Sequence, residues 1–297
     1  MGLRNLQNGN YIIAYSYGNE GVFIRVINQN FNNLPSSVTN NENSLSLNNQ
    51  GQVKLVQSGV NAIKMVWDQA LTDMTAMFSD CSSLTFLDLS NFETSQVTNM
   101  EQMFFGCQSL TSLDLSNIDT SQVINMCSMF FGCKLLISLD LSNFNTIRVT
   151  DMYGMFSGCE SLTSLDLSNF NTSQVTDTRQ MFSECSALKF INLLYYQGKD
   201  IFENLGYTDL AICIGDYKQI NGGENKLKQN NVAIVCLGTT IITFPTTITQ
   251  TSIIKTTILI KPNIALNIIT EGGNDNAKKS EGGNIIVNTT EGGNTLA

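Results

Sequence analysis

A strict repeat of 26 residues dominates the sequence. Five cysteines recur at this interval, and three aliphatic columns that begin at Leu84, Leu87 and Leu89 keep the same phase. A single turn of chain with this pattern cannot bury its own apolar side chains, whereas stacked identical turns join them into continuous ladders. The sequence therefore predicts a stacked array of repeats. The five cysteines are Cys81, Cys107, Cys133, Cys159 and Cys185.

Two local patterns predict the structure of one unit. Leu87 and Leu89 alternate with Asp88, which is typical of a short strand with the leucines inward and the carboxylate outward. The stretch T-x-M-x-x-M-F has the three-residue apolar spacing of one or two helical turns, with Thr98 and Glu101 as a capping box. The pattern therefore predicts an α/β unit of strand, loop, short helix and turn.

The charge is low in amount and uneven in placement. Charged residues make up 14% of the chain, and 25 acids against 16 bases give a net charge of -9. Residues 73–189 hold 13 of the acids and 4 of the bases, so the repeats carry the whole net charge. Nucleic acid and anionic membranes need a basic footprint, which argues against both as partners. The chain has no histidine, which excludes His-based triads and every zinc site with a His ligand.

Two of the units carry a family resemblance. LTSLDLSNIDTSQVINMCSMFFGC (110–133) and LTSLDLSNFNTSQVTDTRQMFSEC (162–185) resemble the BspA-like leucine-rich-repeat surface proteins, in the branch with repeats of this length found in bacterial lipoproteins and protist surface proteins. The resemblance implies a leucine-rich-repeat-like right-handed solenoid of short parallel strands and short helices, displayed at a cell surface, with adhesive roles and no enzymatic activity.

One position departs from a generic leucine-rich repeat. Where such a repeat has its buried asparagine, this chain holds Phe92, Ile118, Phe144 and Phe170. We therefore expect apolar packing, and not an amide ladder, to close the loop of each unit.

The chain divides into four expected regions. Residues 1–60 contain short β-like runs such as YIIAYSY and form either an N-terminal cap or the end of a preceding domain. Residues 61–195 form the repeat array, and residues 196–238 form a C-terminal cap with a cysteine pair. Residues 239–297 are a Thr/Ile-rich stretch followed by a low-complexity tail in which EGGN recurs. No export signal, membrane anchor or transmembrane run of 18 apolar residues is visible, so the extracellular or cell-surface location is implied by the resemblance alone.

The most informative surface feature is a row of acids at the outward position of four consecutive strands. Stacking places neighbouring carboxylates about 4.8 Å apart at the backbone, where they repel one another. Hydrogen bonds from flanking serine hydroxyls and solvation are one explanation, and a bound cation or a basic partner surface is the other. The row consists of Asp88, Asp114, Asp140 and Asp166.

Other candidate residues lie outside this row. Cys213 and Cys236 fall outside the repeat register and form either a disulfide, worth about 3 kcal/mol in the chain-entropy model, or two buried thiols. Asn171 and Asn288 begin glycosylation sequons, which matter only in a eukaryotic secretory route. No residues are assigned to catalysis, to a cofactor or to a metal.

The sequence favours one function and leaves another open. The leading interpretation is a non-enzymatic surface-display or adhesion module that binds a protein or glycan, with a basic partner as one alternative, through its exposed strand face. The second is an intracellular protein-interaction scaffold with reduced cysteines.

Overall fold

The computed structural model describes residues 10–40, 43–193, 210–214, 233–234, 257–261 and 264–267. Every regular element in these ranges is a β-strand. The α/β prediction, a leucine-rich-repeat-like right-handed solenoid with short helices, is therefore wrong. The predicted regions 196–238 and 239–297 lie largely outside the described residues. Within those two regions the structure describes β11 (Ala211–Ile214), β12 (Ala233–Ile234), β13 (Thr257–Lys261) and β14 (Ile264–Asn267), of which the last two form an antiparallel pair.

The N-terminal residues form an antiparallel sheet that joins the first repeat. The order β4-β3-β6-β1-β7-β8 runs from an N-terminal edge into the repeats, and only its last pair, β7 with β8, is parallel. A separate antiparallel pair, β2 with β5, completes this part of the molecule. The strands are β1 (Asn10–Gly18), β2 (Phe23–Arg25), β3 (Ser37–Asn40), β4 (Asn43–Ser44), β5 (Gln52–Lys54), β6 (Gly59–Trp67), β7 (Leu84–Asp88) and β8 (Ser112–Asp114).

Two kinds of contact attach this sheet to the array. Strand β1 pairs antiparallel with β7, with Ala14 opposite Leu87. The Asn28 backbone N–H donates to the Met77 carbonyl at 2.8 Å, and its side-chain Nδ2 donates to the Ser79 carbonyl at 3.0 Å. Carbonyls of the first coil thus accept hydrogen bonds from the N-terminal residues, whereas carbonyls of later coils accept them from the previous coil.

The repeats stack as coils with two distinct sides. The turn side is bonded through four isolated parallel bridges that link equivalent residues of all five coils. The strand side holds the short parallel strands. We define the turn side as residues 73–81, 99–107, 125–133, 151–159 and 177–185, and the strand side as 84–89, 110–115, 136–141, 162–167 and 188–193.

Backbone geometry explains why the turn side is not helical. In the predicted helix, Gln102 has a positive φ of 55°, a left-handed conformation that L-residues adopt singly and not in helices. The N–H groups of Gln102 and Phe104 donate to carbonyls of the next coil, at 2.9 Å each, while Met103 and Phe105 bond back three residues. Alternating inter-coil bonds and three-residue turns therefore give the same apolar spacing as a helix.

The predicted capping box is also absent. The Thr98 hydroxyl donates to the Thr72 carbonyl at 3.2 Å, and the Glu101 N–H donates to the Asn99 side chain at 3.0 Å. Gly106, a predicted C-terminal helix glycine, does have a positive φ of 68°, but it ends a turn and not a helix.

The strand side is interrupted in the middle of the array. Strand β8 belongs to the N-terminal sheet, whereas β9 (Ser164–Asp166) and β10 (Phe190–Leu193) belong to a second, parallel sheet of order β12-β11-β10-β9. Residues 138–140, which lie between β8 and β9 in the stack, are not in a strand. Leu113, in β8, and Leu139 are only partly buried, although alternation predicts that their column points inward throughout.

The core consists of continuous side-chain ladders. Phe78, Phe104, Phe130, Phe156 and Phe182 are fully buried, and each neighbouring pair stacks with its ring centroids 5.5 to 5.8 Å apart. The ladder cysteines and most of the turn-side methionines are buried to the same degree. Phe92, Ile118, Phe144 and Phe170 are also buried, as their apolar packing role requires.

Candidate binding face

The four aspartates of the predicted row lie on the outer surface of the strand side. Leu87 and Leu89 on either side of Asp88 are fully buried, while Asp88 is half-buried. Asp114 is half-buried, and Asp140 and Asp166 are exposed. Asp88 and Asp114 are direct partners in the parallel pairing of β7 and β8. We call Asp88, Asp114, Asp140 and Asp166 the acidic row.

Each carboxylate of the acidic row is held by its own backbone. Its Oδ1 accepts the N–H of the serine two residues later, at 2.9 to 3.0 Å in all four units. The bond to Ser142, first from its backbone N–H and then from its side chain, lowers the pKa of Asp140 from its ordinary value. A hydrogen-bonded ionised form offsets part of the repulsion between neighbours.

Few bases compensate the charge of the array. Two of the four bases in residues 73–189 are already paired within it: Lys134 with Glu160 at 2.8 Å, and Arg179 with Asp177 at 2.5 Å. Neither pair involves the acidic row. The described part of the strand side therefore presents its carboxylates to solvent without a basic residue in ion-pair contact.

An amide ladder, which the sequence argument excluded, runs beside the acidic row. The Asn143 Nδ2 donates to the carbonyls of Leu115 and Ile118 in the previous coil, at 2.8 and 3.0 Å. Asn169 repeats the arrangement one coil later, and Asn117 bonds the Ser90 carbonyl at 2.8 Å. The apolar column and the amide ladder therefore occupy adjacent positions, and both close the loop. The signal was an asparagine in every unit, one residue before the apolar position.

A second polar ladder on the turn side was also missed. Its side-chain Oδ1 atoms accept the N–H two residues later at 2.8 to 3.0 Å, as in the acidic row. Only Asp or Asn occupies this position in the five units. Both residue types favour turns, and this sequence signal argues against the predicted helix. The ladder consists of Asp73, Asn99, Asn125, Asp151 and Asp177.

The five ladder cysteines are buried thiols that stabilise the turn side. The Sγ–H of Cys107 donates to the Phe78 carbonyl at 3.1 Å, and Cys133, Cys159 and Cys185 make the same bond one coil further each time. Burial raises the pKa of Cys107 and of Cys185 to about 12. Such thiols are poor nucleophiles and poor metal ligands, because both roles need the thiolate.

Cys127 lies on the turn side but outside the cysteine ladder. It is half-buried, its Sγ lies 3.6 Å from the Ser128 Oγ, and desolvation raises its pKa.

The remaining predicted site residues are only partly described. Cys213 is buried in β11, while Cys236 lies outside the described residues, so the predicted disulfide stays a prediction. Asn171 is exposed, and its Oδ1 accepts the Ser173 N–H at 3.0 Å. Asn288 lies outside the described residues.

A cleft of about 580 Å³ in the N-terminal region is lined mainly by apolar and serine side chains, with Glu20 and Lys54 as its charged residues. No group of three or more Cys, Asp or Glu residues is placed to hold a metal ion in the part of the chain that the structure describes. Over the same residues, no helix has the length and apolarity needed to cross a membrane.

The match to a known protein family lies in the repeat array and the strand before it. A family model described as "Mycoplasma protein of unknown function, DUF285" matches residues 61–112 and 72–193. Both matches lie within the coils and the strand that leads into them, and together they cover less than half of the chain. No curated protein and no solved structure matches.

Proposed function

We propose that the protein is a non-enzymatic surface-display or adhesion module that binds protein or glycan partners through the acidic row. The observation that carries the proposal is the fixed presentation of four like carboxylates, each oriented by the same backbone hydrogen bond. The resemblance to BspA-like surface proteins supports the cell-surface location.

The geometry of the acidic row favours multivalent contact. Equivalent groups repeat from coil to coil, so a partner with repeated binding groups can engage several at once. Linked weak contacts exceed the affinity of any one contact when the spacing allows simultaneous engagement. The contacts should weaken with salt if the partner is basic, because exposed charges are screened within about 10 Å at 0.1 M salt.

The test replaces the acidic row with asparagine at all four positions. Asparagine keeps the Oδ1 acceptor for the serine N–H, so the fold should remain while four negative charges disappear. Adhesion of protein-coated beads to cells and to extracellular matrix should fall, and its salt dependence should flatten. Circular dichroism checks the fold.

A matched control removes the same charge from other surfaces. Asp73, Asp80, Asp119 and Asp151 lie outside the acidic row, and their replacement by Asn should leave adhesion nearly unchanged. Equal loss of adhesion in both variants would assign the effect to net charge. Unchanged, salt-insensitive adhesion by the acidic-row variant would refute binding through this face.

A second candidate function is an intracellular interaction scaffold with reduced cysteines. It is favoured by the five ladder cysteines, all of which are buried thiols. Peptide mapping under non-reducing conditions, on protein from its native source, separates the two candidates. A Cys213–Cys236 disulfide supports the surface module, and two alkylated thiols support the scaffold.

A further inference from the structure

The exposed apolar side chains of the array are concentrated in one stretch. Among the described residues of the array, the large hydrophobic side chains that are exposed are Ile124, Leu135, Ile137 and Ile147, at 41, 50, 57 and 53%. All four fall within residues 124–147. The rest of the described array exposes no large hydrophobic side chain, so residues 124–147 present a more apolar surface to solvent than the other units.

Two of these side chains lie at the beginning of the strand side, one residue apart from each other along the chain. Leu135 and Ile137 flank Leu136, which is fully buried, so both point away from the core. We call Leu135 and Ile137 the apolar pair. Other units have small or polar residues at the two positions. These are Ser83, Ser109, Ser161 and Ala187 at the first, and Thr85, Thr111, Thr163 and Lys189 at the second.

The apolar pair occupies the coil in which the strand side is interrupted. Residues 138–140 are not in a strand, and β8 and β9 on either side belong to different sheets. The Thr163 N–H reaches the Ile137 carbonyl at 3.3 Å, whereas the equivalent bonds from Thr111 and Lys189 are 2.9 Å. The weakest part of the strand side therefore coincides with its most apolar surface.

Charge surrounds the apolar pair on the same side. Asp140 follows Ile137 by three residues, which is about 10 Å of extended chain. Asp114 and Asp166 occupy the coils before and after. Lys134, beside Leu135, is already paired with Glu160. The surface is thus an apolar centre with an acidic surround.

We propose that the apolar pair and the acidic row form one docking surface for a protein that presents an apolar side chain bordered by lysine or arginine. This inference rests on the proposed function and names the chemistry of its partner. Charge complementarity selects this occupant, because a second copy of the chain would bring an array with 13 acids and 4 bases against an identical one. The apolar centre adds contact area that a purely charged interaction lacks.

Two defined peptides separate the apolar contribution from the charge contribution. One alternates leucine with lysine, and the other alternates serine with lysine, so both carry the same charge. The wild-type protein should bind the leucine peptide about tenfold more tightly, since burying two aliphatic side chains that are half exposed contributes roughly that factor. Binding is measured by fluorescence anisotropy on the full chain.

The test variant is taken from neighbouring units. Leu135→Ser with Ile137→Thr gives the residues found at those positions in adjacent coils, and it should abolish the preference for the leucine peptide while leaving serine-peptide affinity intact. The control, Ile124→Thr with Ile147→Ser, also uses residues of other units and should keep the preference. Circular dichroism should show both variants folded.

The outcomes separate this inference from the proposed function. A preference that survives in the Leu135→Ser, Ile137→Thr variant, or that is lost equally in the control, overturns the apolar pair as the docking centre. Concentration-dependent dimers that the same substitutions dissolve would assign the surface to a second copy and also overturn it. Serine-peptide binding that is insensitive to salt and to removal of the acidic row would refute the proposed function instead.

Discussion

The two sides of the coil array are built from the same repeat but tolerate variation differently. The turn side is bridged through all five coils, and the phenylalanine ladder that includes Phe130 and the cysteine ladder are fully buried in every unit. The strand side is divided between two sheets, and two leucines at its centre are only partly buried. The comparison indicates that the turn side supplies the continuous scaffold, while the strand side can change its surface without loss of the stack.

The largest expected effect comes from alkali, which acts on the turn side. Burial raises the pKa of all five ladder thiols, so the unfolded chain releases their protons from about pH 9 while the folded chain retains them. This stabilisation is complete below the unfolded pKa and is lost as pH rises toward the folded value, which is about 12 for Cys107. The free energy of unfolding should fall by about 1.4 kcal/mol per pH unit for each thiol.

Urea titrations between pH 8 and 10.5 measure that slope. Cys133→Ala should remove the contribution of one proton, and Cys127→Ala, at a half-exposed position, should remove less. Identical slopes in the wild type and the Cys133→Ala variant would show that the buried thiols do not control alkaline unfolding.

A large-to-small substitution compares the two sides directly. Phe130 stacks between Phe104 and Phe156 and is fully buried, so Phe130→Ala should lower the free energy of unfolding by about 3–5 kcal/mol. Leu139 on the strand side is only partly buried, so Leu139→Ala should cost about 1–2 kcal/mol. Equal losses in chemical denaturation would contradict the difference between the sides.

The amide ladder should have an intermediate effect. Asn143→Ala leaves the carbonyls of Leu115, Ser116 and Ile118 without their side-chain donor, for an expected loss of about 1–3 kcal/mol. Asn91 occupies the equivalent position in the first coil, where its Nδ2 donates, among the described residues, to the Ser90 hydroxyl. Asn91→Ala is therefore the matched control and should change the melting temperature little. A loss as large as that of Asn143→Ala would mean that the inter-coil bonds are not the cause.

The smallest expected effect concerns acid. The folded-state pKa of Asp140 is lowered, so its contribution to stability is present above its ordinary pKa of 3.8 and is lost as pH falls through the folded value. Asp140→Asn should lower stability at pH 7 slightly, because the contribution of the ionised carboxylate is lost, and should reduce the decline between pH 5 and pH 3 by the same small amount. Thermal melts across that range measure the change, and a large loss at pH 7 would show that the charge itself is required.

The sequence predicts the stack of coils because its side chains repeat every 26 residues. Cys107 and Leu110 recur in phase, and only stacking buries both. The helix prediction was wrong because a three-residue spacing of methionines arises equally from three-residue turns bonded to the next coil. The Asp or Asn at positions 73 and 99 favours turns and was the available contrary signal.

The predicted site was harder to derive. Asp88 and its equivalents lie outside, as alternation indicated, but their hydrogen bonds come first from backbone N–H groups. Which group donates depends on the backbone geometry of the turn after each aspartate, and the residue types alone do not specify that geometry. The sequence also gives no direct sign of the interruption near Leu139, because leucine or isoleucine occupies that position in every unit. The indirect sign is that Leu135 and Ile137 stand where other units have mostly serine and threonine.

On the turn side, alternate N–H groups of each coil donate to carbonyls of the next one, from Ala76 to Glu101 and then from Gln102 to Cys127. On the turn side, every internal junction is therefore interchangeable with every other. In-frame duplication or deletion of one whole unit joins a coil to the same donors and acceptors that it already had. Related genes are expected to differ in length by whole units, and recombination between units can transplant a surface such as that of Leu135 and Ile137 along the molecule without redesign of its core.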